Sequence, residues 1–382
     1  MTSHRLFAVT RKLAKAVRLN LTSRTYTALS CATFLICSTG IGFSQSTQDQ
    51  PYLPSPVRMA STVPSNGDVN PYGVAYIGNN FLAGSGPLKP GDILVSNFNN
   101  KQNLQGTGTT IVRIPANGSA PTVFFQGSAH PGLSTGLATL QEGFILVCSL
   151  PTADGTAATA KAGSLMVINN QGTLIQNFSS SNIDGPWDMT VVDNGSTANV
   201  FISDALYGGV IRIDFSVTPK GLTELDHYII ASGYKHQADP AALFDAPTGL
   251  VFDKTSGLLY VASTLDNMIF SVSDALTRTT TDGTGSVVYN DQTHLHGALA
   301  MAEAPNGDLL VTNNDVINAD PNQPSEIVEF TKAGEFVKEI SVDPNLGGSF
   351  GLNVSVNQQT NTSVLAAVDD NTASLTIWTL PL

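Results

Sequence analysis

Charge is scarce in this chain of 382 residues. Asp, Glu, Lys and Arg make up only 13%, and 18 basic residues face 30 acidic ones. So few cations, outnumbered by anions, exclude the basic surface that a nucleic acid or an anionic membrane would need. Cysteine is nearly absent as well: of three, Cys31 and Cys37 lie in the N-terminal segment and Cys148 stands alone in "FILVCSL". Without that segment no intramolecular disulfide can form, and Cys148 is expected to be a buried small apolar residue. No long stretch with a 3.6-residue apolar period follows the N-terminal segment. H-E-x-x-H, G-x-S-x-G, C-x-x-C and a phosphate-binding Gly loop are all missing, so no hydrolytic zinc helix, serine elbow or nucleotide site is legible.

What is abundant is Gly (34) and Pro (20), a composition that suits short strands joined by turns. The first forty-odd residues differ from the rest. Arg5, Arg11, Lys12, Lys15, Arg18 and Arg24 precede the apolar, small-residue run "TALSCATFLICSTGIGF", and no acidic residue comes before Asp49. This pattern predicts a secretory signal peptide over residues 1–44, cleaved after Ser44 or Ser46, with an uncleaved anchor as the alternative. A flexible leader (45–56) and a single domain (57–382) would follow. The mature chain would carry 12 basic against 30 acidic residues, near −18. It is expected in the periplasm or outside the cell, as a monomer, with no nucleic-acid partner and no membrane association after cleavage.

One pattern recurs six times: a small turn, a Gly, an apolar run, a polar turn, then a second apolar run with a polar end. The first strands begin "NPYGVAYI", "LSTGLATL", "GPWDMTVV", "APTGLVFD", "HLHGALAM" and "GSFGLNVS". Alignment on the Gly gives Gly73, Gly136, Asp188, Gly249, Gly297 and Gly351, with Asp188 the single departure. The second strands end at Asn97, Ser149, Asp204, Ser263, Asn313 and Asp369, all polar. A third strand follows each time and a fourth is visible in five units. A four-stranded meander cannot bury both faces alone, whereas six stacked around an axis can. The expected fold is an all-β six-bladed propeller. The sixth unit has only three strands before Leu382, so "VRMASTVP" (57–64) is expected to supply its fourth and to close the ring.

The unit resembles the NHL repeat, most closely in "PTGLVFDKTSGLLYVASTLDNMIFSV" and next in "PYGVAYI…GDILVSNFN…TTIVRI". The resemblance spans nearly all of residues 57–382. It implies the propeller fold and leaves activity open, because such repeats serve binding proteins and enzymes alike. In a meander blade the P-x-G turns and the second-strand ends share one mouth of the channel. Asn97, Asp204, Asn313 and Asp369 are therefore expected there, with Trp187 and Asp188 beside them. Gluconolactonase-like propellers hold calcium at this mouth through Glu, Asn and Asp, and these four residues have the right donor types. The family's Glu at the start of the first blade has no counterpart in "NPYGVAYI". Amidating and streptogramin lyases are also six-bladed and use a blade-start His, which His296 resembles. It would act as base or metal ligand.

His130, His236 and His294 also lie in connections leading to a first strand, and would supply zinc-type ligands if they converged. The leading reading is a propeller that binds a small molecule, glycan or protein at the channel mouth. The long loops "FNNKQNLQGTG", "PTADGTAATAKAG" and "NNDVINADPNQPS" would contribute to it. The alternative is a metal-dependent hydrolase or lyase using the same mouth, with calcium or zinc. A structural surface protein would instead show an apolar mouth.

Overall fold

The six polar–apolar repeats fold as six four-stranded antiparallel sheets in a computed structural model that describes residues 52–54, 58–128, 132–180 and 182–382. The signal-peptide segment and His130 lie outside the described residues. Blade one runs Val69–Tyr76, Ile93–Asn99, Thr110–Ile114 and Thr122–Gln126, from the axis outward. Blades two to five repeat this order, with inner strands Leu133–Leu140, Pro186–Asp193, Pro247–Phe252 and Ala298–Glu303. Blade six takes Ser349–Asn357, Thr362–Asp369 and Ser374–Pro381 from the C-terminus. Its outer strand is Arg58–Ser61, paired antiparallel from Arg58 opposite Ile377 to Ser61 opposite Ser374. The ring is thus closed by the N-terminal strand, as the missing fourth strand required. Among the described residues no helix is long and apolar enough to cross a membrane.

Each blade buries its two faces on its neighbours, and six apolar clusters fill the six junctions. Cys148, wholly buried, belongs to the junction of blades two and three with Leu146, Val200 and Ile211. Tyr52–Pro54, within the stretch expected to be a leader, is seated between blades five and six. The Tyr52 and Leu53 amides donate to the buried Glu329 carboxylate at 2.7–3.0 Å, Lys338 Nζ donates to the Leu53 carbonyl at 2.7 Å, and the Leu53 side chain is buried.

All six inner strands bulge against their second strands across the P-x-G positions, by one extra residue in five blades and by two in blade two. The bulge is where adjacent inner strands approach backbone to backbone. A Cβ on Gly351 would lie 1.6 Å from the Tyr72 carbonyl of blade one, and one on Gly249 would lie 2.4 Å from the Leu299 carbonyl of blade five. At Gly249 and Gly351 the absence of a side chain is therefore a packing requirement. Register also corrects one alignment. In blade five the strand-end partner of Asn313 is Ala298 and the bulge runs from Ala298 to Met301, so the residue equivalent to Gly249 is Ala300, not Gly297. Its amide donates to Thr312 Oγ1 at 3.0 Å, as the Gly73 and Asp188 amides donate to Ser96 and Ser203. Gly297 was the wrong anchor because it sits in the connecting turn at φ 95°, a left-handed conformation that makes a conspicuous Gly for a different reason.

Gly351→Ala is expected to destabilise the fold by about 2–4 kcal/mol, the range for forced overpacking and backbone displacement. Ala300→Gly should cost no more than about 1 kcal/mol. Urea unfolding midpoints of the two variants would test the ranking.

Candidate functional site

The strand-end polar row and the P-x-G turns do share one mouth of the channel, but the side chains there build a plug. The middle residues of the turns converge on the axis: Tyr72, Trp187, Leu299 and Phe350 form one apolar cluster with Phe98 and Phe244. Tyr72 meets Trp187 edge-on at 6.1 Å and Phe350 at 4.9 Å, and Phe98 meets Trp187 at 5.5 Å. Trp187 Nε1 donates to the Tyr72 hydroxyl at 3.3 Å. Trp187 is 2% exposed. A two-stranded hairpin, Gln237–Asp239 with Leu243–Asp245, contributes Leu243 and Phe244 to the cluster. Leu243 holds φ 66°, an uncommon backbone conformation for a bulky side chain, while wholly buried. Gln105 Nε2, from the first long loop, donates to the Ala241 carbonyl at 2.7 Å, and Thr152 of the second loop bonds back to Gln105 and Gly106. Loops expected to offer a binding face thus fasten to the hairpin and to each other. The cavity beneath them measures only about 30 Å³, room for about one water. The mouth is apolar, the outcome anticipated for a structural protein.

The polar row is spent on the turns. Asp204 accepts from the amides of Asp184, Gly185, Leu206 and Tyr207 at 2.9–3.0 Å. Asn313 accepts from the His296 amide at 3.0 Å and donates to the His294 carbonyl at 2.7 Å. Asp369 accepts from the Thr372 amide and hydroxyl. Asn97 Nδ2 donates to the Thr62 carbonyl at 3.0 Å and to Thr110 Oγ1, joining the closing strand's exit to blade one. All four residues are at most 1% exposed.

The described histidines do not converge either. His227 pairs with Glu224 at 2.7 Å on an outer strand, and His236 Nδ1 lies 3.2 Å from the Tyr234 carbonyl. His294 Nδ1 lies 2.5 Å from Asp291, its ring stacked on Phe336. His296 is 2% exposed, with Nδ1 3.2 Å from Glu326 Oε1 and Nε2 3.0 Å from the Thr293 carbonyl. Asp315 and Glu326 bring carboxylate oxygens within 4.8 Å of this imidazole and of each other. Among the described residues this is the one group of three His, Cys, Asp or Glu ligand atoms close enough to hold a metal ion. Sequence reading missed both carboxylates. The one signal was Glu326 at the start of a third strand, where other blades place Thr110, Ser164, Gly209, Met268 and Ser374.

Below the plug the channel is open space of about 250 Å³, walled by the inner strands. It extends from Tyr72 and Asp188 to the far strand ends, where exposed Glu303 lies on its rim. Two acidic side chains and no basic one line it. Glu303 is paired with Lys332 at 2.6 Å. Asp188 stands where a Gly-type position allows a side chain to enter the channel, and among the described residues its Oδ1 accepts from the adjacent Met189 amide at 2.8 Å. Burial pushes the Asp188 carboxyl up to about 7. Burial, and then the neighbouring Asp369, pushes Asp370 to about 7 as well.

No protein-family model matches the chain, and no curated protein matches it. Solved structures do. An α-L-arabinanase of Penicillium chrysogenum complexed with arabinobiose has a TM-score of 0.50 at 11% identity, covering 86% of this chain and 99% of that one. A gluconolactonase of Xanthomonas campestris has 0.49 at 13%, covering 86% and 99%. A catalytically inactive virginiamycin B lyase of Staphylococcus aureus with quinupristin has 0.46 at 14%, covering 85% and 88%. At such identities the likeness shows the propeller fold alone.

Two outcomes are expected. A carboxyl held high in the fold binds its proton where the unfolded chain has released it, so Asp188 lowers stability as pH rises from about 4 to about 7. Asp188→Asn should therefore raise stability at pH 8 by about 1–3 kcal/mol, less than the full shift implies because the channel admits water, and leave it unchanged at pH 4. Urea midpoints at the two pH values decide this. Asp204→Ala should lower stability by about 2–4 kcal/mol through loss of its turn amides, visible as a fall in melting temperature.

Proposed function

We propose that this chain is an exported propeller of the NHL kind that binds a small cationic molecule in its central channel. The ligand would reach the channel from the end opposite the plug. The carrying observation is Asp188. It places a carboxyl inside a cavity with no basic side chain in its wall, at a repeat position where Gly73, Gly136, Gly249 and Gly351 leave no side chain at all. Its proton is held near neutrality, so a bound amine would gain an ion pair that water now supplies poorly. The cavity is smaller than pockets that enclose drug-sized ligands, which favours a small amine over a glycan or a protein segment. The acidic chain would raise the local concentration of such a ligand. Export rests on the basic and apolar character of residues 1–44, and places the protein in the periplasm or beyond.

The alternative, a metal-dependent hydrolase or lyase at the plugged mouth, has the group of His296, Asp315 and Glu326 as its support. None of the three lines the channel cavity, so the binding reading is preferred.

Calorimetric titration with butylamine, choline, glucose and acetate tests the proposal. The two amines should bind, more tightly as pH rises through about 7 and Asp188 ionises, and Asp188→Asn should weaken them at least tenfold. Equal binding of glucose or acetate, or amine binding indifferent to Asp188→Asn, would overturn it.

A further inference from the structure

The imidazole of His296 poses a proton-accounting problem. Its Nε2 faces the Thr293 carbonyl at 3.0 Å. A carbonyl only accepts, so Nε2 carries a proton and donates it. In the neutral ring Nδ1 is then a bare lone pair, yet it faces Glu326 Oε1 at 3.2 Å, another acceptor. Either a proton on Nδ1 or a metal ion must lie between them. Asp315 adds a second buried carboxylate. Its Oδ2 accepts from the Ser325 and Gly347 amides at 2.9 and 2.8 Å, while its Oδ1 is buried with no hydrogen-bond partner. The three residues are 2%, 9% and 1% exposed.

A proton on Nδ1 would leave one imidazolium against two carboxylates, with the Asn313 side-chain amide on Glu326 Oε2 and the Ser325 and Gly347 amides on Asp315 as the other donors, a net negative charge in a buried site. A divalent ion would balance both carboxylates around a neutral ring. The ring is already oriented as a metal-ligating histidine is, with its second N–H donated to a backbone carbonyl.

We infer that His296 Nδ1, Glu326 and Asp315 Oδ1 form a buried structural site for a divalent metal of the zinc type. The mixed nitrogen and carboxylate donors select that class over calcium, which takes oxygens throughout. Three protein donors leave one tetrahedral position for water. The site joins the turn before blade five's inner strand, the loop after its second strand and the start of its third. Through the Gly347 amide on Asp315 it also touches the connection to blade six. Its role is to hold this long loop and the blade junction together. It is separate from the channel that Asp188 serves.

The test uses the whole exported chain, stripped with chelator and refolded with one equivalent of Zn²⁺ or Co²⁺. One bound metal per chain, a rise in melting temperature with Zn²⁺, and the visible absorption of a low-symmetry Co²⁺ centre are expected. Asp315→Asn and Glu326→Gln should each weaken binding at least tenfold. In case either variant fails to fold, the wild-type His296 Nδ1 resonance gives an independent reading. It should shift from the imidazolium to the metal-bound position on adding Zn²⁺ at constant pH. No bound metal above background, binding unchanged in both folded variants, or an Nδ1 that remains protonated with Zn²⁺ present would overturn the inference.

Discussion

The architecture depends on six inner strands passing one another around the axis at backbone contact. Each is the edge of its own sheet, so each has unpaired backbone groups facing inward and a neighbour pressed against one side. The approach at the bulge is closest where Gly351 meets the Tyr72 carbonyl and Gly249 meets the Leu299 carbonyl. Everything else follows from that spacing. The apolar second and third strands can fill the six junctions only if the inner strands are this close. The ring can close only if the sixth blade is complete, which is why Arg58–Ser61 must return to pair with Ser374–Pro381.

This spacing also gives meaning to Asp188. A side chain at that position stabilises nothing by packing, and a carboxyl there makes the fold less stable at neutral pH than an amide would. Costly groups without a structural return concentrate at functional sites. Asp204 and Asp369 are the contrast. They end second strands one step farther from the axis, and Asp204 is saturated by four amides while Asp369 accepts from Thr372. Their charge is used up in shaping turns.

The repeat made the blades, the closing strand and the burial of Cys148 legible, because apolar runs of strand length at a fixed spacing have one economical way to bury both faces. The site was much less legible. A polar residue at a strand end looks the same in sequence whether it binds a ligand or caps a turn. Asn97 and Asp204 were open to both readings; Asp204 proves to be bonded to four turn amides, and Asn97 Nδ2 to Thr62 and Thr110. Gly297 drew the alignment three residues away from Ala300, since a turn glycine and a packing glycine are spelled alike. The hairpin at 237–245 was hidden inside "KHQADPAALFDAPTG", a stretch with no periodic pattern long enough to announce two three-residue strands. Glu326 and Asp315 lie 30 and 19 residues from His296, and no short motif connects them.

The two acidic sites differ in the one property that decides what an acidic site can do, which is access to water. Asp188 opens on a channel, so a cation bound there, as proposed, would exchange with solution and its occupancy would follow pH and ligand concentration. Glu326 and Asp315 are sealed with an imidazole that already gives its second proton to a carbonyl. A metal ion held there, as inferred, would be enclosed by the loop from Asn313 to Ser325, whose opening breaks the amide contacts that Asp315 makes to Ser325 and Gly347. Its loss would be coupled to loosening of blade five against blade six, whereas loss of the proposed channel ligand would disturb no backbone contact. On this reading the same excess of carboxylates would serve exchange in one place and rigidity in the other.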